Sequence, residues 1–233
     1  MTTENPKITL TPLVNRFAAK RNYILYPIES IDVMGVLAKS NTGYLVSPPP
    51  RGPRPPVGTR FDAVGIIARK GNCTIDFDSV TQIIGVEGPD PREVIATLFD
   101  VESIIQRDLK LNIEENIRFY EIMSNYQVET GNNPLKVLGN IRQPKEMYDS
   151  ISGILNEEIT NQSIHISSRS DTIETPNWFD ISIRPLPNRS SKTYDVMIIF
   201  RRSKKGEVAE FLKSIENKIS NIIATIEKTG IGK

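Results

Sequence analysis

Apolar residues recur at spacings of four and three through Val208, Leu212, Ile215, Ile219, Ile222 and Ile226, which is the pattern of a helix with one apolar seam. Upstream, Phe179, Ile181 and Ile183 alternate with Asp180, Ser182 and Arg184, the period-two pattern of a half-buried strand. Pro185 and Pro187 break that run, and a second, more continuously apolar strand resumes from Tyr194 to Phe200. The stretch from Trp178 to Ile226 therefore predicts a strand hairpin feeding a long helix. Ile164 and Ile166 predict a further strand before it.

A fainter version of this order lies in the first half of the chain. Phe61 to Ala68 and Cys73 to Phe77 read as strands flanking a turn at Arg69-Lys70-Gly71-Asn72, and Val80 to Val86 reads as a third. Asp90 then supplies an N-cap, Pro91 the first helical position and Glu93 an acidic first turn. Val94, Leu98, Val101 and Ile105 continue as an amphipathic helix. The fold class expected is α+β, with antiparallel sheets and packed amphipathic helices in two strand-hairpin-helix halves, 1–110 and 147–233. An internal pseudo-duplication would rest on the order of elements, because the residues themselves differ. Two such halves would pair about a pseudo-twofold axis; a saddle of the TATA-binding type shares that organisation, but no run of residues here matches that family, so the analogy is one of shape.

The intervening pieces are read by the same rules. Thr11-Pro12 resembles a helix start and predicts a short helix over 12–21. Tyr23 to Leu37 predicts one or two strands broken at Pro27. Ile113, Ile117, Tyr120 and Met123 share one side of a predicted linking helix within 111–146, and Met147, Ile151, Ile154 and Leu155 place another helix over 146–159. Residues 47–60 (SPPPRGPRPPVGTR) cannot continue a helix or a central strand. They form a proline-rich loop, either a stiff connector or a docking segment that loses little entropy on binding.

Composition narrows the function classes more than it selects one. Lys+Arg 29 against Asp+Glu 28 leaves a net charge of +1, so no global field draws the chain to nucleic acid or an anionic membrane, and any basic site must be local. One cysteine excludes an internal disulfide and fits a reducing, cytoplasmic setting. No apolar run is long enough to span a bilayer, so no membrane partner is expected.

Candidate chemistry is sparse. His165, the single histidine, falls on the polar side of a strand; Cys73 adjoins a basic turn; Asp76 and Asp78 share a strand side without a third acidic ligand. No phosphate-loop or dinucleotide spacing occurs, and no catalytic residue, metal site or cofactor is assigned. The positive features are basic turns. Arg51 and Arg54 lie in the proline loop, Arg69 and Lys70 on one hairpin tip, Arg189 and Lys192 on another, and Arg201, Arg202, Lys204 and Lys205 before the last helix. They mark contacts for a protein partner or for RNA or DNA backbone. The function expected is a non-catalytic binding or scaffolding subunit, self-associating through its striped helices or part of a larger assembly that could include nucleic acid. The alternative is a small-ligand binder or enzyme using a concave sheet pocket lined by Cys73, Asp76, Asp78 or His165.

Overall fold

The computed structural model describes residues 8–21, 28–39, 43–47, 64–78, 80–111, 116–141, 145–157, 162–169, 175–186 and 192–231. In chain order the elements are β1 (Thr9–Arg21), α1 (Ser30–Lys39), β2 (Leu45–Val46), β3 (Val64–Lys70), β4 (Cys73–Asp78), β5 (Ile83–Gly88), α2 (Pro91–Leu109), β6 (Ile117–Glu129), α3 (Pro134–Gly139), α4 (Lys145–Leu155), β7 (Ile164–Ser167), β8 (Trp178–Pro185), β9 (Thr193–Arg202), α5 (Lys205–Lys213) and α6 (Ile215–Ile231). Among the described residues nine strands join one sheet in the order β2-β3-β4-β5-β1-β6-β9-β8-β7, and each pairing between them is antiparallel. The fold is α+β, as the residue pattern predicts.

Three assignments from the pattern are corrected by the sheet. Residues 12–21 are not helical; they are most of β1, which pairs with β5 on one side and β6 on the other. Phe17 and Ala19 turn to the core while Arg16 and Ala18 turn to the opposite face, a two-sided burial that hides the alternation. Pro12 does not cap a helix. It sits at a register shift between Pro12 and Val14, beyond the point where the pairing with β5 ends, so its missing N–H is tolerated.

Residues 117–129 form β6 rather than a linking helix. Tyr120, Ile122, Ser124, Tyr126 and Val128 are buried in strict alternation. A buried serine in that row breaks the apolar signal, and the intervening Met123 imitates a helical spacing. The segment read as strands before Leu37 ends in α1, where Val33, Val36 and Leu37 are buried one helical turn apart and the Asp32 carboxylate accepts from the Glu29 N–H at 3.1 Å. Residues 22–27 lie outside the described residues.

Within the described residues the other predicted strands and helices form near where the pattern puts them, with β5 starting at Ile83 instead of Val80 and α4 ending at Leu155. Residues 48–60 of the proline-rich loop and 61–63 of the strand after it lie outside the described residues. Asp90 caps α2 by accepting from the Arg92 N–H at 2.8 Å. The apolar seam of the last helix is present but divided at Ser214, whose hydroxyl donates to the Glu210 carbonyl at 2.8 Å and ends α5 before α6 begins. Val208, Leu212, Ile215, Ile219 and Ile226 are buried within this chain, so the seam that suggested helix-mediated self-association is taken up by the protein's own core.

The packed helices cover one face of the sheet. Phe99 of α2 meets Phe17 of β1 at 6.3 Å between ring centroids, and Phe211 of α5 stacks on Phe200 of β9 at 3.8 Å. The register puts Phe17 opposite Ile122 and Ile122 opposite Phe200, so both contacts lie on the same side. Two groups of buried polar side chains in this layer are hydrogen-bonded to one another. Asn15 Nδ2 donates to the Pro89 carbonyl at 3.0 Å and Tyr126 donates to Asn15 Oδ1 at 3.2 Å. Glu227 of α6, 2% exposed, accepts from Thr130 at 2.6 Å, Asn132 at 3.0 Å and Tyr194 at 3.4 Å. No helix among the described residues is long and apolar enough to cross a membrane.

Candidate functional site

Helices α1, α2, α3, α5 and α6 all contribute to the core on one side of the sheet, and none of these five lies on the opposite face. Nine strands at about 4.8 Å spacing make this surface roughly 40 Å wide. Its side chains are read from the register: Ile66, Asp76, Gly85, Ala18, Glu121, Arg201 and Trp178 form one row across the strands. The next row runs through Glu87, Arg16, Met123, Ile199 and Asp180, and the one after through Val14, Asn125, Met197, Ser182 and His165.

Ion pairs stud this face. Arg16 of β1 reaches across β5 to Asp76 of β4, with Nη2 2.7 Å from Oδ2. The bridge lies directly over Gly85, where an added Cβ would sit 2.5 Å from Arg16 Nη2 and 2.6 Å from Asp76 Oδ1. Arg201 donates through Nε to Glu121 at 2.8 Å, and its guanidinium lies 3.9 Å from the centre of the Phe119 ring and 5.4 Å from that of Trp178. Arg184 pairs with the buried Asp195 at 2.8 Å, and His165 Nε2 contacts Asp180.

Between these pairs the centre of the face is apolar. Met123 stands opposite Ile199, and Asn125 is flanked by Val14 and Met197. Met197 is 38% exposed. Two open clefts lie elsewhere. One, of about 420 Å³, opens between the start of α2 and the junction of α5 with α6, bordered by Asp90, Arg92, Lys213 and Glu216. The other, of about 410 Å³, lies beside the β3–β4 turn and is lined by Lys70, Cys73, Glu93, Thr97 and Asp100.

At that second cleft Asp100 accepts from Lys70 Nζ at 2.6 Å and from the Tyr44 hydroxyl at 2.8 Å. Burial alone would raise the Asp100 carboxyl, but these two donors outweigh it and hold it below the usual carboxylate range. Burial, then the adjoining Asp100, pushes the Tyr44 hydroxyl far up. Burial likewise raises the Cys73 thiol, so this cysteine is a poor nucleophile.

The residues considered for chemistry do not converge. Cys73 is buried on the helix-covered side of β4, whereas Asp76 points to the other face and is paired with Arg16. Asp78 accepts from the Val80 and Thr81 N–H groups and the Thr81 hydroxyl, closing the β4–β5 turn. His165 lies on β7, six strand steps or about 29 Å from β4. No group of three or more residues suited to a metal ion occurs among the described residues.

The basic residues are equally dispersed. Arg51, Arg54 and Arg189 lie outside the described residues. Arg69 is exposed on β3, and Lys70 is engaged by Asp100. Lys192 precedes β9 and Arg201 and Arg202 end it, about 30 Å away along the strand. Of that last group, Arg201 is held by Glu121, Lys205 pairs with the buried Glu102 at 2.9 Å and lies 4.8 Å over the Phe99 ring, and Arg202 donates to the Arg201 carbonyl at 2.6 Å. Lys204 alone of the four is largely exposed, at 79% of its side chain. Sequence reasoning missed the open face altogether. Its one signal was the set of charged residues alternating with apolar ones in β8, since β1 and β6 were read as helices.

No family model matches the chain, and no curated protein matches it. Among solved structures, Methanococcus jannaschii TBP aligns over 96% of this chain and 99% of its own length, with 12% identity and a TM-score of 0.32, a superposition too loose to define a common fold.

Proposed function

We propose that this protein is a non-catalytic binding or scaffolding subunit that docks a macromolecular partner on the open face of its sheet. The observation that carries the reading is the organisation of that face, a broad surface with an apolar centre and a margin of ion pairs, which is the layout of a protein interface rather than of an enclosed ligand pocket. The dispersal of Cys73, Asp76, Asp78 and His165 supports the absence of a catalytic centre. The mirrored strand order about β1 and β6 supports two related halves, with their boundary at β6.

Site-specific photo-crosslinking in the native host tests this. A crosslinker at Met197 is expected to capture a discrete partner, whereas one at Glu210, on the outer side of α5, is expected to capture none. Equal capture at both positions, or none at Met197, rejects the reading.

A further inference from the structure

We infer that the occupant of the open face is a protein segment with an apolar stripe and basic side chains, an inference that rests on the open face being the docking surface. Three observations point to this chemistry. The first is the central band itself. Val14, Met123, Met197 and Ile199 are neighbours in register and lie outside the core beneath the helices. Two of the four are methionines, whose unbranched, polarisable side chains adapt to an incoming surface.

The second is Asn125, in the middle of that band. Its Oδ1 is shut off from water, and among the described residues no donor reaches it. The chain's own atoms already cover it, so it marks the centre of the band as dry and reserves no hydrogen bond for a partner.

The third is charge. Arg16, Arg184 and Arg201 are each already matched by a carboxylate on the same face. Glu87 and Glu129 are exposed on it and have no cationic partner among the described residues. Lys20, half-buried near Asp78, and Arg69, out on the β3 wing, are the face's cations outside those pairs; with Asp78 and Asp180 included, its described strands carry seven carboxylates against five lysine and arginine side chains. A phosphate backbone would have to displace carboxylates from the arginines and would meet the two free glutamates. A second copy of the chain placed face to face would bring the same acidic surplus against itself. Lysine or arginine on a protein segment complements it.

The test is selection of a displayed random-peptide library against the intact chain, followed by competition with a DNA duplex and light scattering of the protein alone. Enriched peptides are expected to combine apolar and basic residues and to protect residues 121–129 and 195–201 from hydrogen exchange. Their binding should weaken roughly tenfold or more in Met197→Asp and in the double variant Glu87→Lys with Glu129→Lys, both at exposed positions. Lys204→Gln should leave it unchanged. The inference is overturned if no peptide enriches, if the enriched peptides are acidic, if binding ignores Met197→Asp, if the duplex displaces them from this face, or if the chain self-associates through it. A partner crosslinked at Met197 together with an acidic peptide consensus would remove this inference and leave the docking face standing.

Discussion

The Cβ that Gly230 lacks would lie 2.4 Å from the carbonyl oxygen of Val137 and 3.0 Å from its carbonyl carbon. Helix α6 thus approaches the backbone of α3 directly, and Asn140 Nδ2 donates to the Gly230 carbonyl at 3.0 Å in the same contact. Backbone cannot swing aside as a side chain can. Gly230→Ala is expected to destabilise the protein by about 1–3 kcal/mol in urea unfolding. Gly153→Ala, in α4 with nothing within 4 Å of the added atom, should instead be neutral or stabilising by up to about 1 kcal/mol.

Gly85 meets a different obstacle, the movable ends of Arg16 and Asp76. Gly85→Ala should keep the fold and displace the ion pair. Because both side chains are about a quarter exposed, the coupling between them in a double-mutant cycle is expected to be at most about 1 kcal/mol. Gly85→Ala should reduce that coupling to near zero.

Glu227 is the acceptor for three neutral donors in the helix layer. Glu227→Ala strands the Thr130 and Tyr194 hydroxyls and the Asn132 amide, and should cost on the order of 2–3 kcal/mol by chemical unfolding. A loss below about 0.5 kcal/mol would mean that water replaces the carboxylate without difficulty.

Stability should fall at both ends of the pH scale for separate reasons. The Asp100 carboxyl titrates lower when folded than when unfolded, so its contribution is present above about pH 4 and is lost as pH falls through the folded value. Lys70→Met should flatten that acid limb. Burial pushes the Tyr126 hydroxyl up to about 12 and raises that of Tyr194 further, so their contribution is present below about pH 10 and is lost as pH rises through the folded values. Phenolate absorbance should show these tyrosines ionising together with unfolding.

Neutralising the basic run before α5 should separate its members. Lys204→Gln is expected to change stability by less than about 0.5 kcal/mol. Arg201→Gln removes the partner of Glu121 and the cation lying over Phe119 and Trp178, and should cost about 1–3 kcal/mol. Any binding assay on Arg201 variants therefore needs a stability control.

The α2 helix, the β3–β4 hairpin and the β8–β9 pair were legible because each has one buried side and local punctuation, such as the Asp90 cap. The centre of the sheet was not. β1 and β6 are covered by helices on one face and by partly buried ion pairs on the other, so residues such as Arg16, Met123 and Glu121 do not declare which side is wet. The same reason hid the candidate docking face. Its register depends on pairing Thr9 with Glu129 and Arg21 with Ile117, partners far apart in the chain whose contact no local pattern encodes.

That central pairing also sets an order of events during synthesis. Until β6 has been made, the part of the chain ending with α2 can pair β1 only with β5, and the other edge of a 13-residue strand stays bare. A long, unpaired edge is the template on which chains aggregate or exchange strands. The nascent protein is thus most vulnerable in the interval before residues 117–129 emerge, and the late arrival of β6 turns an adhesive half-sheet into a closed middle.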